Sequence, residues 1–169
     1  MTVIVCPLPH VVTLAAERSP SHVLSLLGPT LDPPLFEGPA APRRLHLIFN
    51  DIIEPADGLL LPEATHIDEL LAFGRGWDRD APMLIHCWAG ISRSTAAAYI
   101  LACDRFGPGR EGLLAKRLRA ASPTATPNRL MIELADAALR RDGAMSRAIA
   151  HIGRGESAEE GAPFDLLLD

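Results

Sequence analysis

The chain has 169 residues, which suits a single domain, and its 48% hydrophobic and 22% charged residues are typical of a globular protein. This composition excludes a chain that is disordered throughout or built from a fibrous repeat. The formal net charge is −5, and only one of the 16 basic residues is a lysine, so bulk charge gives no reason to expect binding to nucleic acid or to an anionic membrane.

The first half of the chain carries alternating strand and helix patterns. The predicted elements are a strand over 2–6, a strand or the start of a helix over 10–15, a helix over 21–27, a strand over 44–49 and a helix over 62–73. Five prolines predict a loop over residues 29–42. Strands that alternate with helices indicate an α/β domain.

The second half of the chain is predicted to be mostly helical. Its elements are a buried strand over 83–87 and helices over 92–106, 110–121 and 127–140. We therefore predict an α/β fold in which a small central, mostly parallel sheet is flanked by helices on both faces. The alternation of helix and strand patterns ends after residue 145. We therefore predict a domain over 1–145 and a poorly ordered acidic tail over 146–169. Within that tail, the short apolar cluster Phe164 to Leu168 is the one candidate for docking on the domain.

The informative stretch is His86-Cys87-Trp88-Ala89-Gly90-Ile91-Ser92-Arg93-Ser94, where a buried strand ends, a short loop follows and a helix begins. The backbone amides of such a loop and the positive end of the helix dipole favour an anion. Arg93 offers a planar guanidinium that pairs with two phosphate oxygens at once. The same field favours the thiolate form of Cys87, which is then set up to attack phosphorus.

The stretch resembles the signature loop of cysteine-dependent protein tyrosine phosphatases, His-Cys-x5-Arg-Ser/Thr, and is most similar to the dual-specificity branch. The resemblance covers roughly residues 43–140. It implies catalytic roles for Cys87, Arg93, Ser94 and His86. It further implies that residues of the loop bind phosphate, namely Trp88, Ala89, Gly90, Ile91, Ser92 and Arg93.

The resemblance also implies an aspartate from an upstream loop as the general acid that protonates the departing oxygen. Asp51 follows a predicted strand and precedes a predicted helix, which is the arrangement of the dual-specificity enzymes, and we predict that it is the acid. Asp57 and Glu54 remain alternatives. For Asp57 the reason is its distance in sequence from Cys87, which is closer to the usual aspartate-to-cysteine interval of the family. Asn128 is either a helix cap or a brace for the loop.

The same reasoning bears on partners and location. The predicted substrates are phosphotyrosine proteins, with phosphoserine and phosphothreonine as further candidates, and no cofactor or metal is expected. Three sparse cysteines and the lack of a signal peptide predict a cytoplasmic location, and we expect a monomer. Arginine-rich, lysine-poor usage indicates a bacterial source. Cys6 is expected to be a buried strand residue or a resolving thiol for oxidised Cys87. The alternative function is a phosphoprotein-binding module of the same fold.

Overall fold

A computed structural model, which describes residues 1–168, contains one sheet and six helices. The strands are β1 (Thr2–Pro7), β2 (His22–Leu27), β3 (Arg43–Ile48), β4 (Met83–Cys87) and β5 (Phe164–Leu167). The helices are α1 (Val11–Arg18), α2 (Ala64–Arg75), α3 (Arg93–Phe106), α4 (Glu111–Ala121), α5 (Arg129–Ala138) and α6 (Ala144–Ile152). The strand order is β3-β2-β4-β1-β5. All neighbours are parallel except β1 and β5, which confirms the predicted mostly parallel sheet.

Helices cover both faces of the sheet because its central strands are apolar on both sides. All five residues of β4 are buried, and β4 lies between β1 and β2. On one face Ile4, Cys6 and Leu84 pack with residues of α1. On the other face the larger core joins the sheet to α2 through α6. This arrangement fixes the carboxyl end of β4, where Cys87 lies, in the interior of the fold.

The predicted helix over 21–27 is wrong, since these residues form β2. All six residues of β2 are buried, and the strand pairs with β3 on one side and β4 on the other. A short apolar run without a clear period fits either a buried helix or a central strand, and here tertiary pairing decides. The sequence Ser19-Pro20, taken as a helix start, instead ends α1, where Ser19 adopts a left-handed conformation with φ of 46°.

The segment after residue 145, predicted to be poorly ordered, forms a helix and a strand. Helix α6 begins at Ala144 and buries Met145 and Ile149, and its first amides donate to the carboxylate of Asp136 in α5. Strand β5 pairs antiparallel with β1, so the Phe164 cluster docks on the sheet, and this part of the tail differs from the poorly ordered segment predicted. Met145, Ala148, Ile149 and Ile152 recur at helical spacing, but the cap that Asp136 supplies from another helix leaves no local sequence signal. Among residues 1–168 no helix has both the length and the apolar character needed to cross a membrane.

Candidate active site

We call residues 87–93, from the last residue of β4 to the first of α3, the phosphate loop. It lies at the carboxyl edge of the sheet, where parallel α/β folds bind their ligands. Gly90 has a φ of 71°, and a Cβ there would approach the backbone nitrogen of Pro7 to 2.7 Å. The backbone amide of Leu8 donates to the carbonyl of Trp88 at 3.1 Å. The end of β1 therefore fixes the loop, and only glycine fits at its tightest point.

The Cys87 sulfur lies inside the loop with two polar groups directed at it. The backbone amide of Gly90 lies 3.3 Å from Sγ, and the hydroxyl of Ser94 lies 3.2 Å from it. Cys87 is only 2% exposed but lines an open cleft of about 380 Å³. An amide and a hydroxyl are therefore placed where they would stabilise negative charge on this sulfur, as a thiolate nucleophile requires.

Arg93 brings a buried positive charge into the same cleft. Its Nη1 donates to the carbonyl of Phe49 at 2.8 Å, which holds the guanidinium against the end of β3. Its Nε is buried and has no hydrogen-bond partner among residues 1–168, and no carboxylate in that part of the chain pairs with the group. A buried cation with unsatisfied donors is costly unless an anion binds it. The cleft is therefore built for an anion beside Cys87.

The other predicted phosphate-binding residues surround that position. Four of them line the cleft together with Cys87 and Arg93, namely Trp88, Ala89, Ile91 and Ser92. Gly90 does not line it, but its amide points at the sulfur. Trp88 is 56% exposed at the rim, so it lies where it can contact a ligand.

Asp51 is the only one of the three candidate acids that lines the cleft. Its Oδ1 accepts hydrogen bonds from the Ser92 hydroxyl at 2.7 Å and from the Asn128 side-chain amide at 2.8 Å. Neither Glu54 nor Asp57 reaches the cleft. This placement favours Asp51 as the acid and shows which groups orient its carboxyl.

Asn128 combines the two roles that the sequence left open. Its Oδ1 accepts from the backbone amide of Met131 and caps α5, while its Nδ2 donates to Asp51 and to the carbonyl of Ile52. The residue is therefore both a helix cap and a brace. Just before it, the backbone amide of Thr126 donates to the carbonyl of Ile91, which fixes the phosphate loop from its outer side.

His86 lies behind the loop in β4 and is fully buried. Its Nε2 pairs with the hydroxyl of Ser25 in β2 at 2.6 Å. Burial lowers the pKa of His86 to about 4, although a hydrogen bond with the Cys87 backbone favours the protonated form. The imidazole is accordingly neutral at pH 7, and its bond to Ser25 ties β4 to β2 directly behind the loop.

The two other cysteines differ from Cys87 in their surroundings. Burial raises the pKa values of Cys6 and Cys103 to about 12, so both thiols stay protonated at neutral pH. Cys6 packs in the apolar cluster on the α1 face of the sheet, whereas Cys87 belongs to the core on the opposite face. This arrangement favours a buried core residue over a resolving thiol at Cys6.

The segment from Gly153 to Pro163 also contacts the site, although no motif or periodic pattern in these residues indicates it. The amide of Gly161 donates to the carbonyl of Ala89 at 2.8 Å, and Ala158 and Glu159 line the cleft. A cluster of three or more His, Cys, Asp or Glu side chains suited to a metal ion does not occur in residues 1–168.

Comparison with known proteins identifies the fold. No family model matches the chain, and no curated protein matches it. Solved structures do match: DUSP15 with 19% identity and a TM-score of 0.62, over 92% of this chain and 94% of that one. PTPMT1 in complex with PI(5)P is 15% identical with a TM-score of 0.60, and the match covers 86% of this chain and 94% of that one. A mouse putative dual specificity phosphatase complexed with zinc tungstate is 18% identical with a TM-score of 0.57, and the match covers 81% of this chain and 79% of that one. The chain therefore has the fold of dual-specificity-like protein tyrosine phosphatases.

Proposed function

We propose that the protein hydrolyses phosphate monoesters on phosphotyrosine proteins, with phosphoserine and phosphothreonine as further substrates. The observation that carries this proposal is the buried guanidinium of Arg93, which has an unsatisfied Nε and lines the same cleft as the Cys87 sulfur. The solved mouse structure with tungstate, a tetrahedral oxyanion, supports an anion in this fold. We propose a monomeric cytoplasmic enzyme that uses no cofactor.

The first step forms a bond between the Cys87 sulfur and phosphorus and breaks the bond between phosphorus and the substrate oxygen. Both hydrogen bonds to Asp51 fall on Oδ1, which leaves Oδ2 to carry the proton that the departing oxygen takes. Loop amides and Arg93 stabilise the charge on the transferring group. The products of this step are the dephosphorylated protein and a cysteinyl phosphate.

The second step returns the enzyme to its starting state. Water attacks phosphorus, the Asp51 carboxylate takes a proton from it, and the sulfur departs as a thiolate. The Ser94 hydroxyl, 3.2 Å from Sγ, can donate to the departing sulfur. Inorganic phosphate then leaves the cleft.

The test is hydrolysis of p-nitrophenyl phosphate and of phosphotyrosine, phosphoserine and phosphothreonine peptides. We expect turnover by the wild type, turnover at the background rate for Cys87→Ser, and wild-type turnover for Cys103→Ser, which removes a thiol from the core. Acid quenching during turnover should leave one phosphate on Cys87, detectable by mass spectrometry. A wild type that binds phosphopeptides without hydrolysing them would instead establish the binding-module alternative.

A further inference from the structure

A second cavity lies directly beside the cleft. Its volume is about 890 Å³, and Asp51 and Ser92 line both the cleft and this cavity. The remaining walls come from the loop after Asp51, the start of α5 with the residues just before it, and one side of α6 with the residues just after it. We call this cavity the arginine groove. Any protein held in the cleft by a phosphorylated side chain has neighbouring residues close to this groove.

The groove carries three guanidinium groups, those of Arg129, Arg147 and Arg154. Arg129 and Arg154 form no ion pair with any carboxylate among residues 1–168, while Arg147 donates to the carbonyl of Asp142. Two acidic residues also line the groove, Asp51 and Glu133, so the arginines outnumber the carboxylates by three to two. In a chain of net charge −5, this local excess of cations is complementary to an anionic partner.

The floor of the groove is apolar. Ile132 and Ile149 are buried beneath it, and Ile53 at its edge is 42% exposed. A small, highly charged headgroup would cover such a floor poorly, whereas a peptide offers both acidic and apolar side chains. The combination of an apolar floor with unpaired arginines favours an extended peptide segment.

We propose that the arginine groove binds the segment that flanks the phosphorylated residue of a protein substrate, and that this segment carries acidic side chains. This inference rests on the proposed function, because it deepens the substrate class of the same site. The groove selects among phosphoproteins and leaves the chemistry at Cys87 unchanged. Each exposed ion pair contributes little to the binding free energy of the peptide. We therefore expect two arginines together to change kcat/KM for an acidic phosphopeptide by roughly three- to tenfold.

The test compares p-nitrophenyl phosphate, a phosphotyrosine peptide with Asp and Glu on both sides, and the same peptide with Asn and Gln. We expect the wild type to prefer the acidic peptide. The double variant Arg129→Gln/Arg154→Gln should lose that preference through a higher KM while keeping kcat and the hydrolysis of p-nitrophenyl phosphate. The matched control is Arg79→Gln/Arg105→Gln, which removes two charges from exposed positions in a separate cavity.

Three outcomes would overturn the inference. One is equal kcat/KM of the wild type for the two peptides. Another is a loss in the double variant that is the same for p-nitrophenyl phosphate. The third is an arginine-dependent preference for a short-chain phosphoinositide over both peptides, which would assign the groove to a lipid. If the wild type hydrolyses nothing, the proposed function fails, and the groove is judged by whether Cys87→Ser binds the acidic phosphopeptide more tightly than the neutral one.

Discussion

The phosphate loop and the arginine groove are adjacent anion-binding regions with different construction. The loop uses backbone amides, one helix terminus and the buried Arg93, all from residues adjacent in sequence. The groove uses exposed guanidiniums that α5, α6 and the loop after α6 bring together over an apolar floor. Fixed buried dipoles suit chemistry on a single group, whereas exposed side chains suit recognition of variable neighbours. Asp51, at the border of both, offers the sharpest way to separate them.

The largest effect is expected for Asp51→Asn. Asparagine can still accept from Ser92 and Asn128, so the loop geometry should be kept while the transferable proton is lost. We expect kcat for a phosphotyrosine peptide to fall by about 10²- to 10⁴-fold, the usual contribution of a general acid. The decline of kcat on the alkaline side of its pH profile should disappear, because that decline requires a proton on residue 51. The preference for acidic peptides should remain, since the groove does not depend on this proton.

The controls for this prediction are the other two candidates, Asp57→Asn and Glu54→Gln, which lie outside the cleft. Both should retain wild-type kcat and its pH profile. If Asp57→Asn removes the alkaline decline and Asp51→Asn does not, the assignment of the acid is wrong and the loop after β3 must rearrange during turnover.

His86 provides the next test, because it lies behind the loop and not beneath the groove. Its pKa is lowered from 6.5 to about 4 in the folded protein, mainly by burial. Below pH 6.5 the unfolded chain takes up a proton on His86, whereas the folded chain takes it up only near pH 4. The contribution of His86 to the unfolding free energy is therefore complete above pH 6.5 and is lost as the pH falls towards 4. The linked loss is about 3 kcal/mol of unfolding free energy in total.

Urea unfolding between pH 7 and pH 4.5 measures this loss. His86→Gln should lower stability at pH 7 yet show a flatter dependence on pH. A residual slope is expected from His22 and His46, whose pKa values burial also lowers. The exposed His151→Gln is the matched control and should keep the wild-type slope. An unchanged slope in His86→Gln would show that this imidazole is not a buried neutral group.

The contrast between the two regions also explains what the sequence could predict. The loop is contiguous, so Cys87, Gly90 and Arg93 could be placed around one anion from their spacing alone. The bond from Asn128 to Asp51 spans 77 residues, and the Ser25 partner of His86 lies in a strand mistaken for a helix. The groove depends on α6, whose cap comes from Asp136 in another helix. Contacts that only tertiary packing creates leave no periodic or local signal.

Asp136 offers a way to weaken the groove without touching the loop. Its buried carboxylate accepts from the amides of Gly143, Met145 and Ser146 at 2.6 to 3.0 Å. Asp136→Asn loses the charge in these bonds, and we expect about 2 kcal/mol less unfolding free energy. Because α6 carries Arg147 and leads to Arg154, the preference for acidic peptides should weaken as well.

The control for this change is Asp142→Asn, an exposed carboxylate in the turn before α6. It should leave both stability and peptide preference near the wild-type values. Hydrolysis of p-nitrophenyl phosphate should persist in Asp136→Asn wherever the protein is folded. A loss of that activity in step with the loss of peptide preference would mean that α6 supports the phosphate loop and that the two regions are not separable.

The smallest effect is expected from inert salt acting on the small substrate. The net charge of −5 opposes long-range attraction, and anion binding in the loop relies on contacts around a buried guanidinium. Raising NaCl from about 0.05 M to about 0.5 M should therefore change kcat/KM for p-nitrophenyl phosphate by about twofold or less. The preference for acidic over neutral peptides should shrink over the same range, because exposed arginines are screened. If salt reduced the hydrolysis of both substrates equally and steeply, the loop would depend on screened surface charge as the groove does.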